Sequence, residues 1–187
     1  MLRYFRYGLL LLAIVLAGCG TVRVTDYEGQ EPRLDMEAFF QGQLSAHGVV
    51  KNREGRVIRT FNAEISASWE GGEGVLDEHF IFNDGERDQR KWVLAPNGAS
   101  RYSATAGDVV GEGALEVAGN SVFLDYVLRI PYGDGTVDVR VDDRMYLVAP
   151  HILINESEMR KFGFRVGSIL LVIVRSDQAE RENQVRS

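Results

Sequence analysis

The chain has 187 residues, of which 45% are hydrophobic, 26% charged and 10% aromatic, with a single cysteine and a formal net charge of −6. That balance excludes a disordered or collagen-like chain, a disulfide-stapled miniprotein and a polytopic membrane protein, and it fits one core-forming domain. An acidic chain repels phosphate backbones, so no nucleic-acid partner is expected.

Arg3 and Arg6 precede an unbroken apolar run from Leu9 to Leu16. At ~1.5 Å of rise per residue this run reaches only about 12 Å, well short of a ~30 Å hydrocarbon layer. It reads as the h-region of a signal peptide over residues 1–18. Leu16-Ala17-Gly18-Cys19 resembles the bacterial lipobox, which implies diacylglycerol on the Cys19 thiol, cleavage before it and acylation of the new N-terminus. The competing reading is an ordinary secretory signal with a chance cysteine. Acyl chains on Cys19 would be the membrane partner, since each buried CH₂ contributes ~0.8 kcal/mol. Gly20 after the cysteine implies sorting to the outer membrane, with the globular part in the periplasm. The 169 residues that remain after cleavage carry 19 Lys and Arg against 27 Asp and Glu. With a net charge near −8, electrostatic docking to anionic lipid is not expected either.

Residues 19–33 are polar, include Gly29 and Pro32, and read as a tether. Leu34 to Phe40 suits one or two helical turns. From Gly42 the period of the pattern becomes two. Between Arg56 and Trp69, Val57, Phe61, Ala63, Ile65, Ala67 and Trp69 alternate with a mostly polar set. Val122, Leu124, Tyr126, Leu128 and Ile130 form a second apolar face, and Val137, Val139, Val141, Met145 and Leu147 a third. Turn signals such as Asp84-Gly85, Gly119-Asn120 and Gly133-Asp134-Gly135 separate the runs. Strands are expected at 43–51, 56–69, 75–83, 87–95, 100–106, 114–118, 121–130, 136–148, 151–157 and 168–175. No helical pattern long enough for a parallel crossover intervenes, so the order is an antiparallel meander. So many twisted strands leave edges exposed unless they close, which predicts an all-β barrel of about eight to ten strands over residues 34–175. Residues 176–187 read as a disordered tail.

Several of these segments resemble a known family. Leu34-Asp35 with Phe39-Phe40, Gly107-Asp108-Val109-Val110-Gly111, Gly119-Asn120, Asp142-Asp143-x-Met145-Tyr146-Leu147 and Asn155-x-Ser157-x-Met159-x-Lys161-Phe162-Gly163, with the lipobox before them, are similar to proteobacterial lipoproteins catalogued only as a domain of unknown function. Members usually carry Trp where this chain has Arg144. The resemblance implies a lipocalin-like barrel, in a family whose members tend to be encoded beside enzymes that modify membrane fatty acids. It implies no activity and no catalytic residues.

Direct searches for chemistry are consistent with a protein that is not an enzyme. His47, His79 and His151 lack metal-ligand spacing, and no G-x-S-x-G elbow, P-loop or G-x-G-x-x-G is present. Neither a metal nor a cofactor is expected. Asp77 and His79 share a strand face, as a solvated pair or, with Asp143, as the start of a catalytic cluster. The informative anomaly is charge within apolar faces. Arg59 is in register with Phe61, Glu78 with Leu76 and Phe80, Arg90 with Trp92, and Asp143 with Val141 and Met145. Pointing inward, these charges must pair with one another, meet water at a barrel mouth, or meet a polar ligand group. The last case makes Arg59 and Arg90 the receivers of the carboxylate or phosphate of a fatty acid or phospholipid. Glu78 and Asp143 complete the polar set, and Phe61, Trp69, Trp92 and Tyr126 surround the apolar part. The alternative is a structural lipoprotein whose barrel is filled by its own side chains and whose surface docks an envelope partner.

Overall fold

Alternation of large apolar and polar residues cannot satisfy a helix, and in the computed structural model it produces ten strands in a meander. They are β1 (Gly42–Asn52), β2 (Val57–Glu70), β3 (Glu73–Phe82), β4 (Arg87–Pro96), β5 (Arg101–Thr105), β6 (Gly113–Ala118), β7 (Ser121–Tyr132), β8 (Gly135–Ala149), β9 (Ile152–Lys161) and β10 (Phe164–Arg175). The structure describes residues 21–175; residues 1–18, expected to be a signal peptide, Cys19 and the residues after 175 lie outside them. Each strand pairs antiparallel with the next, and β1 also pairs with β10, Leu44 opposite Arg175 through Asn52 opposite Gly167, which closes the barrel. Closure leaves no sheet edge unpaired, so the expected lipocalin-like barrel is what forms, complete within residues 42–175. The last hairpin differs from the expected bounds. β9 runs on to Lys161 and β10 begins at Phe164, because Phe162 and Gly163 make the whole turn, both at positive φ.

The alternation sorts cleanly across the wall. On β2, Phe61, Ala63, Ile65 and Ala67 are buried while Asn62, Glu64, Ser66 and Ser68 are exposed. Chain direction then sorts the connections. The turns after β2, β4, β6 and β8 lie at one end with α1 (Met36–Phe39). The turns after β1, β3, β7 and β9 lie at the other with the 106–112 loop.

The first end is sealed. Asp35 caps α1 by accepting from the Ala38 amide at 3.0 Å. Leu34, Met36, Phe39 and Phe40 are each buried in the barrel core. The Trp69 indole N–H donates to the Phe40 carbonyl at 2.7 Å, and the Leu34 amide to the Gly119 carbonyl at 2.8 Å. These bonds hold the plug to β2 and to the β6–β7 turn.

Residues 21–33 depart from a tether that lifts the domain away. Val24 to Tyr27 form a 3₁₀ turn with Val24 buried, and the Tyr27 ring packs on Phe123 and Tyr146 of the outer wall at 5.7 and 5.3 Å. Phe123 faces outward and would otherwise be a large exposed ring; Tyr27 and Arg144, whose guanidinium lies 4.4 Å over it, cover it.

Candidate functional site

The barrel interior holds a cavity of about 220 Å³. It runs from a floor of Met36 and Phe40 to Val50, Phe82 and Asp88 at the unsealed end, along walls that include Ile65, Leu76, Leu124 and Ile173. Roughly seven water-sized groups at ~30 Å³ each fill that volume, and an engineered cavity of about 150 Å³ already binds benzene.

Halfway up, the apolar lining is interrupted by a polar girdle. Glu78 on β3 stands directly opposite Arg90 on β4, and Asp143 on β8 opposite Ser157 on β9. Tyr126 on β7 completes it, its ring edge-on to Trp92 at 5.3 Å. The inward period of two places these side chains in the wall, and burial sets their chemistry. Burial pushes the Glu78 carboxyl up to about 7, against the attraction of Arg90. Asp143 is pushed up to about 6 by burial, against the Ser157 hydroxyl and the charge of Arg90. The Tyr126 phenol is held well above its ordinary value by burial and then by Asp143. One Asp143 oxygen, Oδ1, is buried with no hydrogen-bond partner. An unsatisfied buried acceptor is costly.

Arg90 does not balance those carboxylates alone. Its Nη2 donates to Asp108 Oδ2 at 2.6 Å, and its Nε to Oδ2 and Oδ1 at 3.0 and 3.2 Å. Asp108 lies in the 106–112 loop, held down where the Arg129 amide donates to its carbonyl at 2.8 Å and the Val110 amide donates to Val127 at 2.9 Å. With Arg90 neutralised, Glu78 and Asp143 leave the girdle with excess negative charge and acceptor capacity.

Of the side chains expected to surround a ligand, Phe61, Glu78, Arg90, Trp92, Tyr126 and Asp143 all line the cavity; Arg59 and Trp69 do not. Arg59 keeps the inward register but sits at the rim. Its guanidinium donates to Asp84 at 2.8 and 2.9 Å and to Glu86, and stacks 3.5 Å over Phe82. Trp69, at the far end of the same strand, serves the plug. Arg59 is committed to two carboxylates and Arg90 to a third, so of the outcomes open to inward charges, pairing holds for both and the mouth of the barrel for Arg59.

Asp77 and His79 are on the outer face, 3.3 Å apart, with Asp77 also accepting from Gln89 at 2.8 Å. The wall separates them from Asp143, so the catalytic cluster does not assemble. Among the described residues no group of three His, Cys, Asp or Glu side chains is placed to hold a metal ion.

Sequence reasoning missed Asp108, Asn155 and Ser157. Asn155 and Ser157 alternate inward with Leu153, a signal present in the sequence. Asp108 carried none beyond its glycine-flanked loop.

Among curated proteins, none matches the chain by sequence. Among solved structures the chain is similar to an S-type phycobiliprotein lyase, CPES, from Guillardia theta. The TM-score is 0.58 at 12% identity, over 83% of this chain and 98% of that one. At that identity the likeness is one of fold. Residues 13–175 match the family described as protein of unknown function (DUF3833), a span that takes in the plug, all ten strands and the girdle, and the chain belongs to that family.

Proposed function

We propose that this is an outer-membrane lipoprotein, anchored through acyl chains on Cys19, whose barrel holds a small amphiphile. The apolar part lies against Ile65, Leu76, Leu124 and Ile173, and the polar group meets Glu78, Tyr126 and Asp143. The observation that carries the reading is the pair of buried carboxyls, Glu78 and Asp143, set among the largely apolar side chains that line the cavity. Asp143 is an acceptor, and Glu78 shares or holds a proton near neutrality. A ligand with a hydroxyl, amide or ammonium donor satisfies that site, whereas a carboxylate adds a third negative charge to it. That a protein of this fold is a phycobiliprotein lyase supports treating the interior as a small-molecule chamber.

The test uses N-phenyl-1-naphthylamine, an apolar fluorescent amine, as probe. Its fluorescence is expected to rise on binding and to fall when 1-decanol or decylamine competes, with decanoate at least tenfold weaker at pH 8. Leu171→Trp, which fills the cavity, abolishes the signal. Competition led by decanoate would reverse the head-group assignment, and a probe signal unaffected by Leu171→Trp would remove the cavity from the account.

A further inference from the structure

The unsealed end of the barrel is not uniform. Its two adjacent hairpins, β1–β2 and β9–β10, meet where β1 pairs with both β2 and β10. They form one lip. Within 51–58 and 159–166, Lys51, Arg53, Arg56, Lys161 and Arg165 stand against a single carboxylate, Glu54, while Arg160 turns down the wall to Glu158 and Asp142. The rest of the rim is mainly acidic, with Asp84, Glu86, Asp88, Asp108, Glu112 and Asp134 against Arg87, and with Arg59 and Arg90 taken up by Asp84, Glu86 and Asp108. Averaging over the chain hides this split, which is why the net charge gave no reason to expect contact with anionic lipid.

The same lip exposes apolar side chains that the fold does not use. Phe162 is 87% exposed and Phe164 76%, with Val57, Ile58 and Val166 beside them also exposed. Consecutive apolar residues such as Val57 and Ile58 are wet together because the tip projects beyond the core, so alternation has no interior to serve there. Phe162 also sits at φ 51, the left-handed region in which a bulky side chain is disfavoured and Gly or Asn is the natural choice. The turn is strained and presents an exposed ring, with the Lys161 ammonium 4.9 Å from its centre and also donating to the Asp138 carbonyl at 2.6 Å.

The N-terminal segment approaches the same side. Thr21, the first described residue, lines a groove on the outer wall together with Lys51, Arg165 and Ser168.

We propose that the basic, aromatic lip formed by the β1–β2 and β9–β10 hairpins docks on an anionic phospholipid bilayer, Phe162 and Phe164 entering the interface and the cations meeting lipid phosphates. This is the composition of interfacial membrane contacts: aromatic and aliphatic side chains that enter the head-group boundary, ringed by Lys and Arg. Val50 and Ile169, just inside the lip, line the cavity, so docking sets its mouth against the lipid and lets a guest pass without crossing water.

The barrel is closed within residues 42–175, so residues 21–187 without acyl chains are mixed with vesicles of phosphatidylethanolamine and phosphatidylglycerol, or of phosphatidylcholine alone. Cosedimentation is expected with the anionic vesicles only, and to fall at least tenfold between 0.02 and 0.5 M salt, as a contact between exposed charges must. Phe162→Asn is expected to raise Tm, by relieving the turn, while lowering vesicle binding tenfold with Phe164→Ser. A double variant, Arg56→Glu with Arg165→Glu, abolishes binding and leaves naphthylamine uptake by the cavity intact, which separates this proposal from the ligand reading. Equal binding to both vesicle types, binding indifferent to the lip variants, no binding at all, or a dimer in sedimentation that Phe162→Asn dissolves would each overturn it.

Discussion

The two ends of the barrel are built from the same ten strands and treat their apolar side chains in opposite ways. At the sealed end, one short stretch, Leu34 to Phe40, folds back under the strands and brings four large side chains into the core. At the unsealed end nothing folds over, and Phe162, Phe164, Ile58 and Val57 remain wet. The difference teaches that hydrophobic content does not mark stability; cover does. The largest expected effect follows. Phe39→Ala and Phe40→Ala, both at buried positions, should each lose about 3–5 kcal/mol in urea unfolding. Phe162→Ala and Phe164→Ala should stay within about 0.5 kcal/mol. Comparable losses at the two ends would mean that the mouth is packed by something these four side chains touch.

Between the ends lies the girdle, which exchanges stability for acceptor capacity. Glu78 has an ordinary value of 4.5, which folding raises to about 7. Between those values the unfolded chain has released the proton and the folded chain keeps it. The folded state therefore binds more protons, and stability falls as pH rises through that window. At 1.36 kcal/mol per unit the loss is about 3 kcal/mol at most for Glu78, with Asp143 coupled to it and moving the same way. Asp84 and Asp138 are held below their ordinary 3.8 by Arg59 and Arg129, so what they contribute is lost only as pH falls below about 4. Thermal unfolding should therefore show Tm dropping from pH 5 to pH 8, and Glu78→Gln should flatten the slope. A wild-type Tm that rises across that interval would show that the girdle is not enclosed.

Two glycines extend the comparison at smaller magnitude, each lying under an aromatic ring across a strand pair. Gly48 faces Phe61 in the upper barrel, where an added Cβ would come 2.4 Å from Phe61 Cζ and 2.8 Å from Leu171 Cβ. Gly74 faces Trp69 at the sealed end, with Trp69 Cη2 2.7 Å from that position. The rings occupy the space that a side chain would take. Gly48→Ala and Gly74→Ala should each cost about 1–3 kcal/mol by overpacking. Gly135→Ala, with its nearest contact at 4.0 Å, should be silent. The two costs have different readouts. Gly48→Ala displaces Phe61 and alters probe binding, whereas Gly74→Ala moves Trp69 off the Phe40 carbonyl and shifts tryptophan fluorescence.

What the sequence disclosed tracks how far each residue lies from a strand end. Glu78, Arg90 and Asp143 sit mid-strand between inward neighbours, so alternation alone placed them inside. Arg59 and Trp69 obey the same alternation on β2, but near its two ends, where the inward direction no longer leads to the cavity. Alternation reports a face, not a depth. The carboxylate that neutralises Arg90 comes from the 106–112 loop, across a separation no local pattern encodes. Residues 21–33 looked like a tether because they are polar, yet Val24 and Tyr27 suffice to fasten them to Phe123. The polarity of the rim needed the closure of β1 on β10, which brings hairpins from opposite ends of the sequence side by side.

The smallest effect tests the mouth itself. Arg59 joins Asp84 and Glu86 over the face of Phe82, a cavity-lining ring, in a cluster open to solvent. Exposed ion pairs contribute at most about 1 kcal/mol, and 1 M salt, with a screening length near 3 Å, removes most of that. Arg59→Ala should therefore lower Tm slightly at low salt and not at all at 1 M. It should still speed probe release under both conditions, because Phe82 loses the planar group stacked on it. Arg59→Lys should behave like Arg59→Ala in release, since an ammonium cannot span both Asp84 oxygens while lying flat on a ring. A loss above about 2 kcal/mol that survives high salt would make the Arg59 cluster a second plug, and the barrel would then be closed at both ends.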